Sequence, residues 1–431
     1  MKSRGEMFMN KMKDSGIKWI GDSPIEWNKF TIGQLFEQVK QKNTGLIEKN
    51  LLSLSYGRIK RKDINSGDGL LPESFEGYNI IEKDDIVLRM TDLQNDKTSL
   101  RQGIAEERGI ITSAYITMRA IHKVSPRFVY YQLYGFDVSK GYYGMGSGVR
   151  QGVNWKDIKK LSLILPNLEL QNEIAKFLDE KTALIDEIIT DTKQTIEELK
   201  SYKQSLISEI VTKGLDSSET LVPSGVEWIG DSPKEWNKFT IGQLFEQVRK
   251  KNTGMIETNL LSLSYGRIKK RDINSGDGLL PESFEGYNII EKDDIVLRMT
   301  DLQNDKKSLR QGISEERGII TSAYITIRAT KKVSSRFVYY QLFGFDVNKG
   351  YYGMGSGVRQ SVNWNDVKKL TLMLPSFELQ NQIADYLDKK ISQIDALIIE
   401  KENVISEYEN YKKSMIYEYV TGKKRVEGYE S

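Results

Sequence analysis

Arginine, glutamine and asparagine recur in short clusters along this 431-residue chain. These are the side chains that can grip a base-pair edge with two hydrogen bonds at once, while lysine beside them mainly engages phosphate. One cluster runs through Tyr56, Arg58, Lys60, Arg61 and Lys62, a second through Arg89 and Gln94, and a third is Arg101-Gln102. The last is Arg150-Gln151 leading to Asn154. Each returns 209 residues later, as Tyr265, Arg267, Lys269, Lys270 and Arg271, then Arg298 and Gln303, then Arg310-Gln311, then Arg359-Gln360 and Asn363. A single basic cluster is an ordinary solvated loop. The same arginines and amides surviving in two copies point to recognition of a nucleic acid.

Bond-making chemistry has much less to work with. There is no cysteine, which removes disulfides, thiolate zinc sites, iron–sulfur clusters and thiol nucleophiles together. The single histidine, His122, is lysine in the second copy (Lys331), so a function shared by both copies does not need it. It reads as a surface residue. Tyr142-Tyr143-Gly144-Met145-Gly146-Ser147-Gly148 lacks the Gly-Lys-Ser/Thr ending of a phosphate loop and is not placed between a strand and a helix. Asp179-Glu180-Lys181 looks like a fragment of a nuclease motif but reads Asp388-Lys389-Lys390 in the other copy, and is expected to be a solvated helix face. No catalytic centre and no metal site are expected. No run resembles a signal peptide or a membrane span, so a soluble, cytoplasmic chain is expected.

The elements that must position these clusters are themselves duplicated. Between residues 19–166 and 228–375 only 20 of 148 positions differ. Between 169–212 and 378–421 only 21 of 44 agree. Each half is thus a well-kept block followed by a divergent segment. The block is mixed α/β, with strands expected at 51–55, 86–90, 115–121 and 161–165. Ser125-Pro126 should cap a short helix that Gly135 stops. The divergent segment has neither proline nor glycine from Leu170 to Val211, and apolar residues such as Ile174, Leu178, Ile185 and Ile196 form a stripe spaced by threes, fours and sevens. It predicts a rod of roughly 60 Å. Two such rods in one chain can bury their stripes against each other as an antiparallel coiled coil.

Charge separates the same parts. The chain totals only +3, yet the two blocks carry 21 Lys/Arg against 17 Asp/Glu and 23 against 17. The segments 169–211 and 378–420 carry 5 against 10 and 5 against 9. Basic blocks suit DNA and acidic rods suit protein partners.

With these residues in view, the chain resembles the specificity subunit of Type I restriction–modification enzymes. The resemblance rests on the tandem Trp-Ile-Gly-Asp-Ser-Pro-x-x-Trp openings at Trp19 and Trp228. It rests also on Gly-Ser-Gly-Val-Arg-Gln, and on Glu-Leu-Gln-Asn-x-Ile-Ala at the start of each rod. Leu170 and Leu379 depart from the family, which often has a second acidic residue there. The resemblance implies an α/β tandem duplication of target recognition domains at 19–168 and 228–377. Spacer helices follow at 169–213 and 378–421, with an N-terminal segment 1–18, a linker 214–227 and a tail 422–431. It implies a non-catalytic subunit without cofactors of its own, binding double-stranded DNA, two methyltransferase subunits and two restriction/translocase subunits. S-adenosylmethionine, ATP and Mg would belong to those partners.

Near-identical domains are expected to read the same half-site of an interrupted palindrome. The exchanges Arg61/Lys270 and Lys62/Arg271 allow a one-base difference between half-sites. Arg150, Gln151, Arg359 and Gln360, then Arg58, Arg267, Arg89 and Arg298, are the first contacts to test. Two rival classes are a free-standing palindrome-binding DNA protein and a protein scaffold that binds no DNA.

Overall fold

In the computed structural model, residues 11–63, 72, 74–91, 93, 100–145, 152–264, 266–273, 281–300, 302, 309–354 and 362–426 are described. The chain divides into two compact units. One is Met1–Thr192 with Asn403–Ser431, the other Lys193–Glu402. Each unit therefore combines one repeat with a stretch of helix belonging to the other.

The first unit opens with β1 (Met12–Asp14), β2 (Asp22–Pro24), β3 (Asn28–Thr31), α1 (Ile32–Leu35) and β4 (Phe36–Gln38). A hairpin of β5 (Leu52–Ser55) and β6 (Arg58–Arg61) follows, then β7 (Asn79–Ile81), β8 (Ile86–Leu88), β9 (Gln102–Ile104), β10 (Gly109–Ile111) and β11 (Ile116–Ala120). After them come α2 (Pro126–Val138), α3 (Trp155–Ile158), β12 (Ser162–Leu165) and the long α4 (Leu168–Lys213). The second repeat supplies β13 (Leu221–Val226), β14 (Gly230–Pro233), β15 (Asn237–Thr240), α5 (Ile241–Leu244), β16 (Phe245–Gln247), β17 (Leu261–Ser264) and β18 (Arg267–Lys270). It continues with β19 (Asn288–Ile290), β20 (Ile295–Leu297), β21 (Gln311–Ile313), β22 (Gly318–Ile320), β23 (Ile325–Ala329), α6 (Ser335–Val347), α7 (Trp364–Val367), β24 (Thr371–Leu374) and α8 (Phe377–Val420).

The core sheet of the first unit has the order β4-β11-β8-β9, antiparallel throughout. Alternation along its strands makes two faces. Ile86, Leu88, Ile104 and Met118 pack into the core that holds Phe128 and Leu133 of α2. Val87 and Ala105 turn the other way, onto Leu52, Leu54, Ile81 and Ile111. The β5–β6 hairpin is thereby laid flat on the sheet. Gly103 is what lets it approach, since a Cβ there would sit 2.5 Å from Leu54 Cδ1.

Helix α2 runs through Gly135 to Val138, where the sequence predicts a stop. The glycine serves packing instead: a Cβ on it would lie 3.0 Å from the Trp19 ring. Ser125 caps the helix as expected, its hydroxyl accepting from the Phe128 N–H. The Glu-Leu-Gln-Asn motif acquires a structural role through its buried glutamine. Gln171 accepts from Ser125 N at 3.0 Å and donates to Pro166 O at 2.8 Å, joining the starts of α2 and α4 to the end of β12. Gln380 does the same in the second unit.

The rods α4 and α8 are 46 and 44 residues long and pack together. In the first unit they run antiparallel: the Phe177 and Tyr419 rings lie 4.6 Å apart and Lys412 reaches Asp186 at 2.7 Å. The apolar stripe is buried at Ile174, Leu178, Ile185, Ile189 and Ile196, whereas Ile188 is exposed. Met415, Ile416 and Val420 of α8 enter the same core as Phe128 and Ile174.

A buried amide closes each unit. Gln132 Nε2 donates to Ile164 O at 2.5 Å and to Val420 O at 2.8 Å, serving a carbonyl that the end of α8 leaves without a helical partner. Gln341 does this for Val211 O at the end of α4, at 2.9 Å. Replacing Gln132 by leucine leaves two buried carbonyls without that donor. It should cost about 1–3 kcal/mol in urea unfolding, and a loss near zero would contradict the closing role.

Candidate nucleic-acid interface

The first cluster lies on the β5–β6 hairpin and the turn that joins its strands. Ile59 turns inward to the small core, while Arg58 and Lys60 alternate outward from β6. Tyr56 heads the turn, 77% exposed and held at φ +47°. Arg61 is exposed and joins Glu107 with both ends of its guanidinium fork, Nε lying 2.6 Å from Oε1. That guanidinium holds the Glu107 carboxyl below the usual carboxylate range. In the second unit Lys270 meets Glu316 at 2.9 Å, so the Arg/Lys exchange keeps the ion pair and loses only the fork. Lys269 and Arg271 are exposed, and Lys62 is half-buried.

Arg58 carries a further tie. It pairs with Asp186 of α4, whose oxygens also accept from Lys412 of α8 at 2.7 and 2.8 Å. In the second unit Arg267 pairs with Asp395 at 2.5 Å, and Lys203 reaches the same carboxylate at 2.5 Å. The sequence pattern of the hairpin does not reveal this node. Its only signal is that Asp186/Asp395 and Lys203/Lys412 stay identical inside segments that otherwise diverge.

Other expected contacts are corrected by burial. Arg101 and Arg310 are fully buried, as are Gln102 and Gln311. They belong to the core and offer no side chain to an outside ligand. Arg101 Nη1 donates to Thr91 O at 2.9 Å, its backbone N–H donates to Asp137 Oδ2 at 2.7 Å, and its guanidinium lies 5.9 Å from the Tyr143 ring centroid. It secures the chain where the β8–β9 connection departs. Val153 N donates to Met90 O at 3.1 Å, joining the approach to α3 to the same place.

Arg89 and Arg298 are half-buried, with backbone N–H groups on Arg101 O and Arg310 O at 2.7 Å. Asn154 and Asn363 are exposed, but their side-chain oxygens cap α3 and α7, accepting from Lys156 N and Asn365 N at 2.8 and 2.7 Å. Gln94, Arg150, Gln151, Tyr265, Gln303, Arg359 and Gln360 lie outside the described residues.

Two non-contacts resolve as well. His122 is exposed. Asp179 is not a solvated face: it accepts from Arg127 Nε at 2.8 Å and from the Tyr131 hydroxyl at 2.6 Å, fastening α4 to α2. Burial of Tyr131 and this carboxylate together push its phenol well above the ordinary range.

Among known families, the model of the Type I restriction modification DNA specificity domain matches the chain twice, over residues 24–198 and 233–407. The two matches are displaced by the same 209 residues that separate the repeats. The chain belongs to this family. A protein named type I restriction enzyme MjaX specificity subunit, from Methanocaldococcus jannaschii, is 22% identical over 425 residues, covering 94% of this chain and 96% of its own.

A solved structure described for complex assembly and conformational transition of the type I R-M system shares the fold. Its TM-score is 0.65 at 12% identity, over 93% of this chain and 99% of that one. The HsdS subunit from Thermoanaerobacter tengcongensis superposes with a TM-score of 0.49 at 13% identity, over 93% and 98%. Specificity subunits of Type I systems are non-catalytic DNA-recognition subunits, which accords with exposed arginines on a hairpin. No helix among the described residues is long and apolar enough to cross a membrane.

Proposed function

We propose that this chain reads DNA for a Type I restriction–modification complex, its two domains reading the same half-site of an interrupted palindrome. The observation that carries this is the identity of 128 of 148 aligned block positions, against 21 of 44 in the helices. The two blocks are nearly equal while the helices that follow them differ. The exposed hairpin cations correspond one for one: Arg58/Arg267, Lys60/Lys269 and Arg61/Lys270. Two equal readers are expected to take one half-site each, the second as the inverted copy of the first. Helices of 46 and 44 residues extend roughly 65–70 Å against ~34 Å per turn of DNA. Several unread base pairs are expected between the half-sites.

The acidic helices scaffold two methyltransferase and two restriction/translocase subunits, in which S-adenosylmethionine, ATP and Mg do the chemistry. Single-molecule sequencing of DNA from cells expressing the chain with its methyltransferase partner tests the reading. The expected footprint is one half-site and its inverted copy, with at most one differing base. Two unrelated half-sites would overturn the claim of equal readers.

A further inference from the structure

We propose that Asp186 and Asp395 hold a hairpin arginine in reserve, keeping Arg58 and Arg267 off DNA until a phosphate replaces the carboxylate. The inference rests on the DNA-reading function and concerns how non-specific binding is held down. Each carboxylate faces two cations, and they are not equivalent. The side chain of Lys412 is 19% exposed and that of Lys203 22%, whereas Arg58 and Arg267 are 62% and 65% exposed. When the arginine leaves, the aspartate remains paired with its lysine, so no unpaired charge is left behind. An exposed arginine pair is a weak one, and a phosphate offers the same fork a charge-assisted, two-bond partner.

The arginine is also not needed to hold the hairpin in place. Tyr130 donates its hydroxyl to Gly57 O at 3.3 Å, and Tyr339 to Gly266 O at 3.2 Å. The hairpin lies on its own small core besides. The neighbouring cation Arg127 is engaged elsewhere, with Glu106 at 2.6 Å and Asp179 at 2.8 Å. Finally, aspartate and lysine are retained in both copies although 23 of 44 aligned helix positions differ.

The test measures binding of the full chain, with its methyltransferase partner, to a random-sequence duplex and to the methylated target sequence, across a salt series. D186N/D395N should tighten random-duplex binding about 5- to 10-fold and steepen the log affinity against log salt slope by ~2, one per freed arginine. The control E187Q/E400Q removes the same charge from exposed positions of the same helices and should do much less. In an R58A/R267A background the effect of D186N/D395N should vanish. R58A/R267A alone should leave random-duplex affinity within about twofold and weaken target binding about tenfold. This arm stands even if the aspartate variants fold poorly.

Equal effects of D186N/D395N and E187Q/E400Q, or an effect that persists without the arginines, would make the node a strut. A wild-type chain that binds neither duplex in a salt-dependent way would instead remove the DNA-reading function itself.

Discussion

Replacing Ile416 by aspartate is expected to unfold the amino-terminal unit, although residue 416 belongs to the second repeat by sequence. Ile416 is fully buried, and its neighbours Met415 and Val420 are 3% and 0% exposed. All three enter the core built on Phe128, Ile174 and Leu178. A carboxylate there loses the transfer energy of the isoleucine and is set among apolar side chains. The loss is about 4–5 kcal/mol or more, a large fraction of the 5–15 kcal/mol that holds a domain. Ile207→Asp strikes the equivalent position of the other unit, where Ile207 is 2% exposed. Hydrogen exchange followed peptide by peptide separates the two. Ile416→Asp should release residues 19–166 first and Ile207→Asp residues 228–375. The reverse pattern would show that each repeat folds on its own helix.

The second large effect is expected at Arg101 and Arg310. Arg101→Ala removes a fully buried guanidinium, leaves Thr91 O without its donor and opens a void beside Tyr143. About 3–5 kcal/mol of stability should go with it, measurable by thermal or urea unfolding. Function should fall differently from the loss of a reader. The Arg101 side chain ties Thr91 O, just beyond β8, to the start of β9. Its loss should therefore lower methylation at every base of the half-site. Arg58→Ala should weaken binding at a single contact. If Arg101→Ala folds with normal stability and relaxes one base alone, the buried arginine reads DNA after all.

Much of this protein is legible without coordinates because the information is local or self-referential. An offset of 209 residues is visible by alignment alone, and it establishes the tandem organisation. Rods free of glycine and proline with an apolar stripe predict α4 and α8, because helical periodicity depends only on backbone geometry. The split of charge between blocks and rods is arithmetic. The expectation that Gly135 ends α2 fails for a reason the local sequence does not contain: its missing side chain makes room for Trp19.

The arginines show the limit most sharply. Arg58, Arg61 and Arg101 have the same chemistry in similar polar surroundings along the chain, yet the first two are exposed and the third is sealed in the core. Whether a guanidinium faces solvent depends on which elements cover it, and Arg101 is covered by α2 and Tyr143, distant in sequence. The exchange of helices is of the same kind. Periodicity says that each rod must bury a stripe, but every apolar partner satisfies it equally. Only the folded chain decided that α8 completes the core of the first repeat, through Ile416 and the Gln132–Val420 bond. Sequence determined that there are two readers and two rods. Tertiary packing decided which cations remain on the surface, because burial is a property of neighbours in space.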